Sequence, residues 1–155
     1  MDYFKLIISL CACLGAGILG SVFTTASIPT WYAGIHKPSF NPPNWVFGPV
    51  WTLLYILMGI SWYLVWSTGP TKTALLFFSI QLVLNVLWSI LFFGLKNPVL
   101  ASMEIIVLWL AILGSIISFY TISKTASFLL LPYIIWVSFA ALLAISIALL
   151  NASVH

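Results

Sequence analysis

Residues 31–59 read WYAGIHKPSFNPPNWVFGPVWTLLYILMG, and the fold is decided there. Pro38, Pro42, Pro43 and Pro49 remove backbone donors and disfavour helix in the residues before them, which forbids continuous helix until about Val50. A short, stiff loop is expected, running without a polar break into an apolar helix. Large rings crowd it at Trp31, Tyr32, Phe40, Trp45, Phe47, Trp51 and Tyr55. Membrane anchoring alone does not require that density, so residues about 28–44 are read as an ordered lid over a ligand site.

Outward from this stretch, composition sets the class. The chain is 63% hydrophobic and 5% charged, with a mean hydropathy of +1.21. A soluble domain carries roughly 25% charged residues. The chain therefore belongs in a bilayer, as an all-α integral membrane protein with five spans. Its basic residues are Lys5, Lys37, Lys72, Lys96 and Lys124, spread singly, so the net charge of +3 forms no patch for nucleic acid.

The apolar run at about 5–27 exceeds the roughly 20 residues needed to span hydrocarbon. It is also longer than the roughly 7–15 apolar residues of a secretory signal. We read it as a retained first helix. Ala12, Ala16 and Gly20, with Cys13, Gly17 and Ser21 beside them, form small faces suited either to packing within the chain or to a homodimer seam. The second helix is expected over about 46–67, ended by Gly69-Pro70. The third covers about 73–95, the fourth 99–122 after Asn97-Pro98, and the fifth 128–152 after a polar turn at 123–127. Ala140, Ala144 and Ala148 give a second small-residue ladder. Of the lysines, three fall on the N-terminal side and two on the other, too slight a bias to fix orientation.

Conventional catalytic chemistry finds little support. Cys11 and Cys13 lie two apart on one helix, where side chains do not face each other, and are read as packing residues. His36 sits in the loop and His155 at the C-terminus, with no serine or cysteine placed near either for a triad. His36 is read as solvated rather than as an iron ligand, and no metal site is expected. Asp2 and Glu104 fall on different helices, which argues against paired carboxylates. Glu104 is placed near enough to the interface to snorkel or to meet Lys96, with a buried functional carboxylate as the alternative.

What remains is aromatic chemistry. Helical spacing puts Trp51, Tyr55, Gly59, Trp62 and Trp66 on one stripe of the second span, and Gln81, Asn85, Trp88 and Phe92 on one face of the third. Gln and Asn need partners in hydrocarbon, so that face points inward. Tyr133, Trp136, Ala140 and Leu143 form the inner stripe of the fifth. A planar hydrophobic ligand such as a porphyrin stacks on such rings, and a few polar groups orient it. The parts are Trp51 and Tyr55, Asn85 and Trp88, Trp136 and the small Ala140, capped by Trp31, Tyr32 and Pro42. The alternative, that these rings are interfacial belt or core residues, stays open on pattern alone.

The runs Trp31-Tyr32, Lys37-Pro38-Ser39, Pro42-Pro43, Trp45-Val46 and Gly48-Pro49-Val50-Trp51, then Leu54-Tyr55 and Met58-Gly59, form one linked set. Downstream stand Gln81-Leu82, Asn85, Trp88, Phe92-Phe93-Gly94, Pro132-Tyr133, Trp136, Phe139-Ala140 and Leu143. Together they resemble the translocator protein family, also called tryptophan-rich sensory protein or peripheral benzodiazepine receptor. The resemblance covers about 31–143. It implies a five-helix membrane protein, often a homodimer, that binds tetrapyrroles such as protoporphyrin, and isoquinoline carboxamide or benzodiazepine-type drugs, beneath the first loop. Ligand-contacting positions carried across by motif are Ser21, Tyr32, Pro42, Phe47, Trp51, Asn85, Trp136, Ala140 and Leu143. Trp51 and Trp136 are the implied photochemical pair of a light- and oxygen-dependent porphyrin breakdown, with no obligatory cofactor.

One departure stands out. Animal members carry a sterol-recognition pattern of Leu or Val, Tyr, then Lys or Arg in the fifth helix, whereas residues 143–149 read LAISIAL. This argues against cholesterol as a partner and leans towards a bacterial cell membrane. A sensor without turnover and a transporter of porphyrin or lipid remain the alternatives. Transporters tend to show internal repeats or paired broken helices, and the spans show neither.

Overall fold

Short polar side chains start most of the helices. In the computed structural model, which describes residues 2–69 and 71–152, Asp2 accepts from Lys5 N to cap α1 (Tyr3–Ser27). Thr71 caps α4 (Lys72–Ser89) through Ala74 N, and Asn97 caps α5 (Pro98–Tyr120) through Leu100 N. Pro98 occupies the first turn of α5, where its missing N–H has no intrahelical partner to lose. The lid contains one helical turn, α2 (Trp31–Gly34), and a short 3-10 turn leads into α3 (Phe47–Thr68). Gly69 ends α3 at φ +116°, a conformation that favours glycine. Pro70 and His155 lie outside the described residues.

Five helices are long and apolar enough to cross a membrane: Tyr3–Ser27, Asn44–Thr68, Lys72–Gly94, Pro98–Tyr120 and Lys124–Asn151. The five-span all-α bundle expected from the sequence is what forms. α3 starts at Phe47, ahead of the Val50 expected from the prolines, because Pro49 falls in its first turn, where a missing N–H costs no intrahelical bond. Two further details differ from the continuous helices expected. The last span is broken at Leu130 into α6 (Lys124–Leu129) and α7 (Leu131–Asn151), because Pro132 in the first turn of α7 cannot continue a preceding helix. The third ends in a π turn over Ile90–Gly94, closed by Leu95 N donating to Ile90 O at 2.7 Å.

Around the bundle, α1 packs on both α3 and α4, α4 on α5, α5 on α7, and α6 on α3 and α5. Small residues set the α1–α3 distance. A Cβ at Gly59 would stand 3.0 Å from the Leu10 Cα, and one at Gly17 would stand 2.6 Å from the Tyr55 ring. Hydroxyl donors tie elements together, Ser27 to Phe93 O at 2.6 Å, Ser61 to Ala126 O at 2.7 Å and Ser127 to Ile116 O at 2.9 Å. Each gives a hydroxyl proton an acceptor that hydrocarbon could not supply.

The belt-or-core alternative for the outer tryptophans resolves residue by residue. Trp62 stacks on Phe78 at 5.1 Å, a core contact worth about 0.5–1.5 kcal/mol beyond area burial. Trp109 donates to Ser138 Oγ at 2.8 Å, joining α5 to α7. Trp66 lies under the Lys5 ammonium, 5.8 Å from its ring centroid.

Cys13, Ala16 and Gly20 are buried inside the chain, as is Ala144. Of the α7 ladder, Ala140 and Ala148 are half-buried. On α1 only the Cys11, Ala12 and Gly15 side remains open, beside Leu82 and Val83.

Candidate functional site: an aromatic cavity under the lid

A cavity of about 430 Å³ opens in the lid-side half of the bundle. Small-molecule sites span roughly 300–1,000 Å³. Its floor is Tyr55, against which Gly17 packs. Trp51 stands one turn above, its ring centroid 5.7 Å from that of Tyr55. Tyr32 and Phe47 form the roof, and Phe47 meets the edge of Trp136 at 6.2 Å. Trp88, stacked on Phe92 at 5.1 Å, makes the α4 wall, while Trp136, Phe139, Ala140 and Leu143 make the α7 wall.

Large rings hold this space open. α3 and α7 meet through Trp51 against Tyr133 at 6.3 Å and Phe47 against Trp136, rather than by close backbone approach. Behind the floor, the Tyr55 hydroxyl donates to Asn85 Oδ1, and Asn85 Nδ2 donates to the Tyr133 hydroxyl at 2.8 Å. Three helices are pinned by one amide.

Most expected site residues line this cavity: Ser21, Tyr32, Phe47, Trp51, Tyr55, Trp88, Trp136, Ala140 and Leu143. Three do not. Asn85 sits one layer back, its polar atoms engaged by the two tyrosines. Trp31 turns its ring edge onto Phe92 at 5.7 Å, outside the wall. Pro42 stays within the lid, where its carbonyl accepts from Asn41 Nδ2 at 3.2 Å. Contributions that the sequence reading missed come from α1, namely Gly17, Ile18, Thr24 and Thr25, together with Ser89, Phe92, Phe93 and Phe139. The available signal was the cluster of hydroxyls at the end of an otherwise apolar helix.

The lid is closely tied down. Tyr32 donates to Asn41 Oδ1 at 2.6 Å, and burial pushes its phenol up to about 12 against the opposing effect of that bond, so it stays a neutral donor near neutral pH. Lys37 Nζ donates to the Tyr32 and Ile35 carbonyls at 2.6 and 2.9 Å and lies over the Tyr32 ring. His36 is exposed and takes no part in the wall; its backbone instead holds Asn151.

No acidic, basic or cysteine side chain lines the cavity among the described residues. The indole N–H groups of Trp88 and Trp136 are buried without a hydrogen-bond partner. Glu104 departs from the interfacial placement expected for it. It is buried, neither carboxylate oxygen has a partner, and Lys96 is exposed rather than paired with it.

The model of the TspO/MBR family matches residues 8–150. The chain belongs to that family. It is similar to the tryptophan-rich protein TspO of Archaeoglobus fulgidus, 51% identical over 98% of this chain and 100% of that protein. The TspO of Chlorobaculum tepidum is 43% identical over 90% of each chain. The human translocator protein is 38% identical over 81% of this chain and 77% of its own length. As a TspO-family protein with five spans, it is an integral, multi-pass membrane protein. Prokaryotic relatives include archaeal as well as bacterial ones.

Proposed function

We propose that the protein binds a tetrapyrrole such as protoporphyrin in the cavity under the lid and promotes its light- and oxygen-dependent degradation. The observation that carries this reading is the wall of indoles, Trp51, Trp88 and Trp136 with Trp45 at its edge, around a space free of charged side chains. A flat macrocycle stacks on such rings. Isoquinoline carboxamide and benzodiazepine-type drugs, also flat, fit the same description.

Light supplies the driving force and dioxygen is the oxidant. Excited porphyrin draws one electron from the indole of Trp51 or Trp136 and passes it to dioxygen; the indole radical cation takes an electron back from the macrocycle, and the superoxide adds to the macrocycle cation so formed, so that the porphyrin is the species oxidised and dioxygen the one reduced. We further propose a homodimer in a prokaryotic cell membrane, its seam on the outer Ala12 and Gly15 side of α1.

Purified protein mixed with protoporphyrin, followed at the Soret band in the dark and under illumination in air, tests this reading. A band shift in the dark and faster loss in light than without protein is the expected result. A dark shift with no accelerated loss would replace the photoenzyme by a tetrapyrrole-responsive sensor, and no shift at all would end both.

A further inference from the structure

The cavity has two boundaries of opposite character. On its aqueous end the lid is fastened to itself by Tyr32–Asn41 and Lys37, and to the far end of α7 by Asn151. Asn151 Oδ1 accepts from His36 N at 3.1 Å while its Nδ2 donates to His36 O at 2.9 Å. Phe40 adds an edge contact to Phe139 at 6.2 Å. Opening this end breaks several hydrogen bonds together.

On the side, Ile18, Ser21 and Thr25 of α1 and Gly48 and Thr52 of α3 line the cavity and also face out of the bundle. Ile18 is 66% exposed although it forms part of the wall. It precedes the end of α1 by nine residues, so at 1.5 Å per residue the gap reaches about 14 Å down a hydrocarbon core about 30 Å thick. It opens onto lipid.

Hydroxyls at this edge are dressed for lipid. Ser21 donates to Ile18 O at 2.8 Å, Thr25 to Ser21 O at 2.7 Å and Thr52 to Gly48 O at 2.9 Å, so each proton is spent on its own helix. Gly48 adds a notch, since a Cβ there would meet nothing within 4 Å. At the aqueous end of the gap stands Trp45, 74% exposed.

We propose that the cavity is loaded sideways from the bilayer, through the gap between α1 and the start of α3, by a flat, lipid-dissolved molecule, while the lid stays latched. The identity of the guest rests on the reading proposed above; the route does not.

The route is tested without any porphyrin. Ala140→Cys, in a Cys11→Ala, Cys13→Ala background, places a thiol on the inner wall. In lipid nanodiscs its labelling by lipid-soluble N-phenylmaleimide is compared with that by a charged sulfonated methanethiosulfonate, each normalised to Thr68→Cys on the exposed end of α3. The lipid-soluble reagent should be favoured by more than about tenfold. Gly48→Phe should slow it by about as much, with Thr52→Phe on the same edge used if that variant does not fold. Asn151→Ala should leave it unchanged and speed the charged reagent. The proposal is overturned if the charged reagent enters the latched protein equally fast, or if neither plug slows the lipid-soluble one.

Discussion

Asn85 and Tyr133 are joined by a 2.8 Å hydrogen bond from the amide Nδ2 to the phenol oxygen, at full burial in the bundle. The same amide accepts from Tyr55, the floor of the cavity. The cavity is thus built on a polar joint between α3, α4 and α7 rather than on packing alone.

Asn85→Leu should lower thermal stability. Interhelical hydrogen bonds in membranes average about 0.6 kcal/mol with a maximum near 1.7, and this change leaves two phenols unpaired, so a loss of about 1–3 kcal/mol is expected. At about 2–4 °C per kcal/mol, unfolding in detergent followed by tryptophan fluorescence should shift down by several degrees. Tyr133→Phe should cost about half as much. A parental midpoint for Asn85→Leu would show that the joint contributes nothing.

Removing the Asn151 clasp should loosen the lid without unfolding the bundle. Loss of two hydrogen bonds to His36 is worth about 1–3 kcal/mol. Hydrogen exchange at the His36 amide should therefore rise about tenfold or more in Asn151→Ala, while amides in mid-α5 keep their protection. Unchanged exchange at His36 would mean the lid is held by Tyr32 and Lys37 alone.

Ala140 is one of two small residues of the α7 wall, the other being the buried Ala144. Ala140→Leu fills part of the cavity, so protoporphyrin affinity in the dark should fall by about tenfold or more, with a thermal midpoint equal to or above the parent. Binding at parental strength would place the ligand elsewhere.

Trp51→Phe and Trp136→Phe each keep a flat apolar ring and lose the oxidisable indole. Light-driven porphyrin loss should slow by well over tenfold, about 1.4 kcal/mol in barrier terms, while affinity changes by less. Trp66→Phe, at the far end of α3 beside Lys5, should do little. Parental rates in both cavity variants would favour the sensor.

For the homodimer, Ala12→Leu adds bulk on the outer face of α1 and should shift the detergent-solubilised protein towards monomer in light scattering. If the molecular mass is unmoved, the seam is not on α1.

Five spans, the lid and most of the wall were legible in the chain because their signals are local. Hydropathy over about 20 residues reports a span regardless of its neighbours, proline breaks helix in the residues before it, and three- and four-residue spacing puts Trp51 with Tyr55 and Trp136 with Ala140 on shared faces. The same locality explains what was misplaced. Asn85 shares a helical face with Trp88, but whether an amide meets the cavity or a phenol depends on Tyr55 and Tyr133, 30 and 48 residues away. Glu104 carries no mark of its burial, since depth is set by which helices close around α5. The α1 side of the cavity, the break at Leu130 and the clasp of Asn151 on His36, 115 residues apart, all follow from how the helices lean on one another. The sequence by itself determined which segments cross the membrane and which rings are available; only the packed bundle decided which of them enclose an empty space and where that space opens.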